Sequence, residues 1–593
     1  MNMNKTLSVG LSSLLAMGSI GGMAAEPDEA ILAGAWSNEQ VQAIAAKTLQ
    51  VYLPLVPDAL TEPERAAAAE LLAAGQRLHD VYLRQLHPQA LAARDALARH
   101  PELVNHAALF RVMNGPIATT LDNDRVPFLG VDPQTPARNV YPPGATRAAL
   151  DAHFAAHPDS RAALLDSRSI VEAATPENVR AAIATLDEHP ALDLLHPGLR
   201  ARLTAAVGGY LSVPYSVAYA DDILFVYDRL NAAAALLDER DPAFARYLRL
   251  RGRDLLADDY DGGDAAWVTG RFSGNLNAQI GSYETYDDAL YGVKTFFSLS
   301  LLQRDAARSA ELAASIGDIQ AIEDALPYAS DRRLNSDIPV GVYNVMADFG
   351  QARGTNTASI LPNESHLAQQ FGRTILIRAN ILTEPHLFAG SERAFVAATV
   401  DEHRGDLSPE GGLYRTLWHE VGHYLGVNRT RDGRELDVAL QDTADLLEEM
   451  KADLVSLFAA RQLHDRGAFD DARLRAVYAD GIRRVLQKTR PRRDQPYQTM
   501  QLIQWNWFLD RGLLTAEGGR LRIHYERYDE AVSSLLAAVL ELQAGGDRGA
   551  ANRFVERWTS WDEAVHGAVA RRMRETETTR FTLVRYEALG EKP

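Results

Sequence analysis

The 593-residue chain contains no cysteine, which excludes disulfides, thiolate metal ligands and a lipidated N-terminal cysteine. Positive charge is also scarce. The 61 Lys and Arg against 79 Asp and Glu leave a net charge of −18, so binding to nucleic acid or to an anionic membrane has no electrostatic support. Long apolar runs are the third scarcity. The one near the N-terminus has Lys5 ahead of an apolar stretch over 7–17 and Ile20, is broken by Ser and Gly, and ends in Met23, Ala24 and Ala25. That pattern reads as a secretory signal over 1–25 rather than a spanning anchor, and predicts an exported, periplasmic protein with no stable membrane insertion after cleavage. The length exceeds what one core usually supports, so two or three lobes are expected.

What is present is concentrated in Thr416-Leu417-Trp418-His419-Glu420-Val421-Gly422-His423 and in Asp445-Leu446-Leu447-Glu448-Glu449-Met450-Lys451-Ala452-Asp453. His419 and His423 stand four apart, so on a helix both imidazoles reach one ion. Glu420 points about 100° round the helix from His419, beside the metal, where a carboxylate can take a proton from metal-bound water. Catalytic zinc keeps three protein ligands and one open position, so a third ligand must come from elsewhere. Arg429 stands where a metzincin would place its third histidine, which closes that route. In the acidic segment, Leu447, Met450, Leu454 and Leu457 form an apolar stripe with Asp445, Glu449 and Asp453 beside it, so a carboxylate from a second helix is the simplest source. Spacing alone leaves Glu448 and Glu449 equally eligible. Neighbouring carboxylates would then receive the free ring N–H of each histidine. The bland alternative, a buried histidine pair, is disfavoured by the helical apolar pattern of Leu413, Leu417, Val421 and Leu425 around the motif and by the acidic helix that follows.

These two motifs resemble the dipeptidyl peptidase III family, the M49 metallopeptidases, whose second motif reads Glu-Glu-Cys-Arg-Ala-Glu and supplies the zinc ligand from its second glutamate. The resemblance implies Glu449 as third ligand of one Zn2+ per chain, with Glu448 and Asp453 supporting the histidines. The best-known members have six residues in the first motif where this chain has five; the five-residue form is the regular helical geometry. Further matches lie at Tyr247-Leu248-Arg249-Leu250-Arg251 and at Gly281-Ser282-Tyr283-Glu284-Thr285-Tyr286-Asp287-Asp288. They imply that Glu284 binds the free amino terminus of a peptide and Tyr286 contacts the scissile carbonyl. A carboxylate fixed a dipeptide's length from the metal would measure off two residues. Leu361-Pro362-Asn363 is similar to the family's Ile-Pro-Asn, which carries over Asn363 as a backbone clamp, whereas Ile360 replaces the family's other asparagine. An ungapped match over 506–512 places Tyr497 where the family has a transition-state histidine, and a phenol can still donate to an oxyanion.

Elsewhere the residues read as scaffold. Helical periodicity runs through 63–79, 88–99 and 172–203. The nine tyrosines between 210 and 291 suit either a groove or packing, with packing favoured. The stretch 258–264, Asp-Asp-Tyr-Asp-Gly-Gly-Asp, fails calcium-loop spacing and reads as a solvated acidic turn. Strands are expected over 338–345 and 374–382, and a closing strand within 579–589.

The expected fold is mainly α with a smaller β component, in two lobes separated by a cleft. A helical scaffold and substrate part occupies 26–300, a β-rich crossover 301–400, a helical zinc-binding lobe 401–575 and a closing segment 576–593. The expected activity is hydrolysis of short peptides, releasing N-terminal dipeptides. The alternatives are a broader oligopeptidase or endopeptidase, and an exported zinc- or peptide-binding protein without turnover.

Overall fold

The computed structural model describes residues 26–56, 59–206, 209–317, 319–329, 332–334, 340–361, 370–372, 374–491 and 496–592. The signal segment 1–25, residues 338–339 and Asn363 lie outside them. The chain is mainly helical with smaller sheets, and it divides into two compact units. One comprises the chain up to Leu302 with Met346–Gly354 and Thr579–Pro593; the other comprises Gln303–Val345 and Thr355–Thr578.

In the first unit, α1 (Glu62–Leu86), α2 (Ala220–Leu237) and α3 (Pro242–Ala257) pack together. A capping box starts α1: the Thr61 backbone N–H donates to the Glu64 carboxylate at 2.8 Å, with Pro63 in the first turn. Ala67, Leu71, Ala74, Leu78 and Val81 then recur at helical spacing and are fully buried. Glu64 also accepts from the Asn275 backbone N–H at 2.7 Å, which ties α1 to the start of β1 (Leu276–Ser282), neighbour of β2 (Phe297–Arg304). The closing strand is found at Phe581–Tyr586, in parallel register with Thr48–Leu53.

Two local expectations fail here. The helical reading of 172–203 overran a strand, Ser169–Ala173, which pairs antiparallel with Tyr210–Pro214; helices begin only at Pro176, after the Thr175 cap. The acidic turn is not solvated throughout. Asp259 and Asp261 are exposed, but Asp264 is buried on the Arg251 guanidinium and Asp258 accepts from the Ser216 backbone N–H at 2.9 Å. Alternation of acid and glycine carries no signal for a partner supplied by another segment.

In the second unit, the first part of β3 (Val340–Gly350) lies parallel to β5 (Thr374–Arg378), and β4 (Ala358–Leu361) pairs antiparallel with the other edge of β5. The run expected as strand to Leu382 turns helical at Ala379, where the Asn380 side chain donates to the Val345 carbonyl and accepts from its N–H at 3.0 and 2.9 Å. Five helices build the core: α4 (Pro409–Gly422), α5 (Ala444–Asp465), α6 (Asp471–Val485), α7 (Pro496–Asp510) and α8 (Tyr528–Gly545). Leu417, Val421, Met450, Leu454, Ile482 and Leu536 fill the space between them. Ser408 caps α4 by accepting from the Gly411 N–H at 3.2 Å, and Pro409 pre-sets the first turn. Among the described residues no helix is long and apolar enough to cross a membrane.

Candidate metal centre

Helix α4 ends at Gly422, but His423 keeps helical backbone angles, so the histidine pair retains i,i+4 geometry across the terminus. Gly422 is where α4 and α5 touch. A Cβ there would stand 2.9 Å from the Ala452 carbonyl oxygen, closer than packed atoms tolerate, so its absence lets the second motif approach the first. After the helix the chain reverses at Gly426, φ +82°, where a side chain would meet Leu540 and Lys451.

The approach brings His419, His423 and Glu449 together, with one ligand atom from each inside a 4.8 Å span. Glu449 Oε2 stands 3.3 Å from His419 Nε2 and 4.0 Å from His423 Nε2. Both rings are oriented from behind: His419 Nδ1 contacts Asp453 Oδ1 at 2.7 Å, and His423 Nδ1 contacts Glu448 Oε1 at 2.9 Å. Ionised carboxylates only accept, so each Nδ1 donates and each Nε2 lone pair is left for a cation. Glu449 Oε2 is itself buried and makes no hydrogen bond among the described residues. An orphaned carboxylate oxygen beside two imidazole lone pairs fits zinc, whose tetrahedral site takes N and O donors.

The supporting acids are themselves held. Burial opposes charge on Glu448, yet Lys451 at 2.8 Å and His423 hold it down to about 2, and Gln543 donates to its other oxygen at 3.2 Å. Lys451, buried, also donates to the Leu425 carbonyl at 2.8 Å, which ties α5 to the turn after the histidines. Asp453 is buried, and against that burial Arg484, His419 and Arg415 hold it far below the usual carboxylate range. Arg415 donates to Asp453 at 3.2 Å and, through Nε, to Asp480 at 2.6 Å. Burial disfavours a charged His419 ring, but Asp453 outweighs it, with Glu449 and Glu420 adding, and raises the ring to about 9. The cluster therefore asks for positive charge, which a divalent ion would satisfy in place of that proton. Glu420 is half-buried.

The remaining candidates stand elsewhere. Glu284 and Tyr286 lie in the first unit, in the loop after β1; Tyr286 is 82% exposed beside the Glu284 carboxylate. Asp288 shapes that loop, accepting from the backbone N–H groups of Leu290, Tyr291, Val293 and Lys294 and from the Tyr141 hydroxyl. Tyr497 sits in the first turn of α7, half exposed. Arg415, Lys451, Asp480 and Gln543 were not singled out from sequence. Arg415 carried a signal, since it precedes His419 by four residues and so shares its face.

No protein-family model matches the chain. A curated protein, Nudix hydrolase 3 of Arabidopsis thaliana, is 24% identical over 356 residues, 58% of this chain; the match spans 45% of that protein. Two solved structures align over nearly the whole chain. One is a DPP III from Caldithrix abyssi, with TM-score 0.77 and 22% identity over 93% of this chain and 99% of that one. The other is a dipeptidyl-peptidase III from Corallococcus sp. strain EGB, with TM-score 0.67 and 23% identity over 94% and 98%. The chain has the fold of these structures.

Proposed function

We propose that the protein is a zinc-dependent peptidase of the dipeptidyl peptidase III type that hydrolyses short peptides, releasing dipeptides from the free amino terminus. The observation that carries the reading is the convergence of Glu449, from α5, on His419 and His423 at the end of α4, each histidine oriented by its own carboxylate and α4 also bearing Glu420. The fold shared with two such peptidases supports it. His419, His423 and Glu449 would hold the ion. When bound, zinc supplies Lewis acidity, which makes water nucleophilic near neutral pH and draws charge from a peptide carbonyl.

The chain's own residues do the rest. Glu420 takes the proton of the attacking water and passes it to the leaving amine. Asp453 and Glu448 keep both Nδ1 protons in place, fixing ring tautomer and direction. Tyr286 and Tyr497 are the proposed donors to the carbonyl oxygen as it becomes an oxyanion. Glu284 pairs with the peptide ammonium, and Asn363 hydrogen-bonds the peptide backbone. A structural zinc site has no use for a base, so Glu420 argues against a binding protein without turnover. Ile360, in place of an asparagine clamp, supports a broader oligopeptidase as the second reading. The signal-like segment supports export to the periplasm.

The test is hydrolysis of one tetrapeptide with a free amino terminus and its N-acetylated form, each with and without chelator. Chelator-sensitive release of a dipeptide from the free-amino form alone is expected. Cleavage of both forms would overturn the dipeptidyl reading and leave the oligopeptidase; cleavage of neither by zinc-loaded protein would overturn both.

A further inference from the structure

On α4 the residue Thr416 lies about 20° from His423 and about 40° from Glu420, so it shares their face, about 6 Å nearer the helix start than Glu420 and about 10 Å nearer than His423. Gly412 continues that face by one more turn. Both line a cavity of about 280 Å³ within the second unit, with Leu387 and Phe388 on its apolar side and Asp480 and Arg483 on its polar side. The cavity therefore lies against the helix face that, one to two turns on, carries the proposed base and a histidine of the candidate metal site. Its volume falls below the usual range for a whole ligand, and suits one end residue of a chain.

Its polar side carries a guanidinium with Nη donors left over. Asp480 accepts from Arg415 Nε at 2.6 Å on one oxygen and from Arg483 Nε at 2.5 Å on the other, so its acceptor capacity is directed at two guanidiniums. Asp453 is shared by Arg415 and Arg484. Three guanidiniums thus face two carboxylates, and of the three Arg483 lines the cavity. Arg415 and Asp480 are buried, whereas the Arg483 side chain is 30% exposed, and among the described residues its Nη atoms donate to no one. A guanidinium locked through Nε presents two parallel N–H donors at a fixed angle, the geometry that receives a carboxylate.

We propose that Arg483 is the anchor for a substrate carboxylate in this cavity, which makes the protein selective for short peptides with a negative charge beyond the cleaved bond. The inference rests on the peptidase reading. In a short peptide the free carboxylate closes the leaving fragment, and one extended residue covers about 3.5 Å, so the cavity lies within two or three residues of Glu420. An acidic side chain offers the same chemistry.

The experiment compares three tetrapeptides of one sequence on the full-length zinc-loaded protein: the free acid, the C-terminal amide, and an amide carrying Glu in the leaving fragment. Wild type should favour the free acid over the amide by about tenfold or more in kcat/KM, mainly through KM. In Arg483→Gln the ratio should fall to near one while cleavage of the amide stays within about threefold, and Arg483→Lys should keep part of the preference. Rescue by the Glu-bearing amide would assign the site to acidic side chains, and no rescue to the α-carboxylate. Equal cleavage of acid and amide by wild type, or an unchanged preference in Arg483→Gln, would overturn the proposal. Binding of the same peptides to Glu420→Gln separates the two readings. Preferential binding of the free acid that Arg483→Gln abolishes supports the anchor even if wild type cleaves nothing, and equal binding of acid and amide overturns it even if wild type cleaves both.

Discussion

Asp480 in the second unit and Asp258 in the first are both aspartates with little solvent contact, yet their acidities are shifted in opposite directions. At Asp480 burial favours the neutral acid, but Arg483 and Arg415 overcome it and hold the group at about 2. At Asp258 burial prevails and pushes the acid up to about 7; its hydrogen bonds from Ser216 and the more distant Arg168 do not offset that. The buried Lys294 of the first unit behaves in the same way, with burial lowering it to about 7 while its Nζ donates to the Asp166 carbonyl and the Ser169 hydroxyl. Burial alone thus pulls both groups toward the neutral form, whereas Asp480 stays charged because partner ions are built in beside it. In the second unit Arg415 and Arg484 keep charged Asp453, the acid that orients His419.

The largest break in this contrast is Arg415→Met. It leaves Asp453 and Asp480 each short of a buried counterion, and unfolding stability measured in urea at pH 7 should fall by about 3–5 kcal/mol. Asp453→Asn should be milder to the fold and specific to the site. The His419 ring loses its orienting acceptor, and zinc affinity from competition with a chelator should drop about 10- to 100-fold. The smallest effect is expected at Asp258→Asn. Its folded pKa lies above its unfolded one, so the aspartate's contribution is full below about 3.8 and is lost as pH rises through about 7. The asparagine should therefore flatten that decline and gain stability on the order of 1 kcal/mol at pH 8. Asp480 has the reverse sign: its folded pKa is depressed, so its contribution is present above about 3.8 and is lost as pH falls toward 2. Stability profiles of Asp258→Asn and wild type that run parallel from pH 4 to 8 would contradict the contrast.

The histidine–carboxylate cluster was legible in sequence because its geometry is local. Four residues on a helix place His423 over His419, and an acidic helix with one apolar stripe must turn its other face somewhere. Which glutamate joins the histidines was settled by resemblance rather than spacing. The guanidinium network was not legible, since Asp480 and Arg483 come from α6, some sixty-five residues beyond Arg415, and α4 meets that helix through Gly411, against the Ala476 backbone, and Gly412, against Asp480. Likewise Asp258 and Asp264 read as solvated because their partners, Ser216 and Arg251, lie on other elements. The strand at Ser169–Ala173 escaped because its pairing with Tyr210–Pro214 overrides a weak helical pattern.

The central claim is that Glu420 is a base beside a metal held by His419, His423 and Glu449. Its most direct test measures zinc content and peptide hydrolysis on one preparation each of wild type and Glu420→Gln. The account predicts one zinc per chain in both and a loss of at least about a thousandfold in kcat in the variant alone. Hydrolysis that persists in Glu420→Gln, or wild type that turns over without zinc, would contradict it.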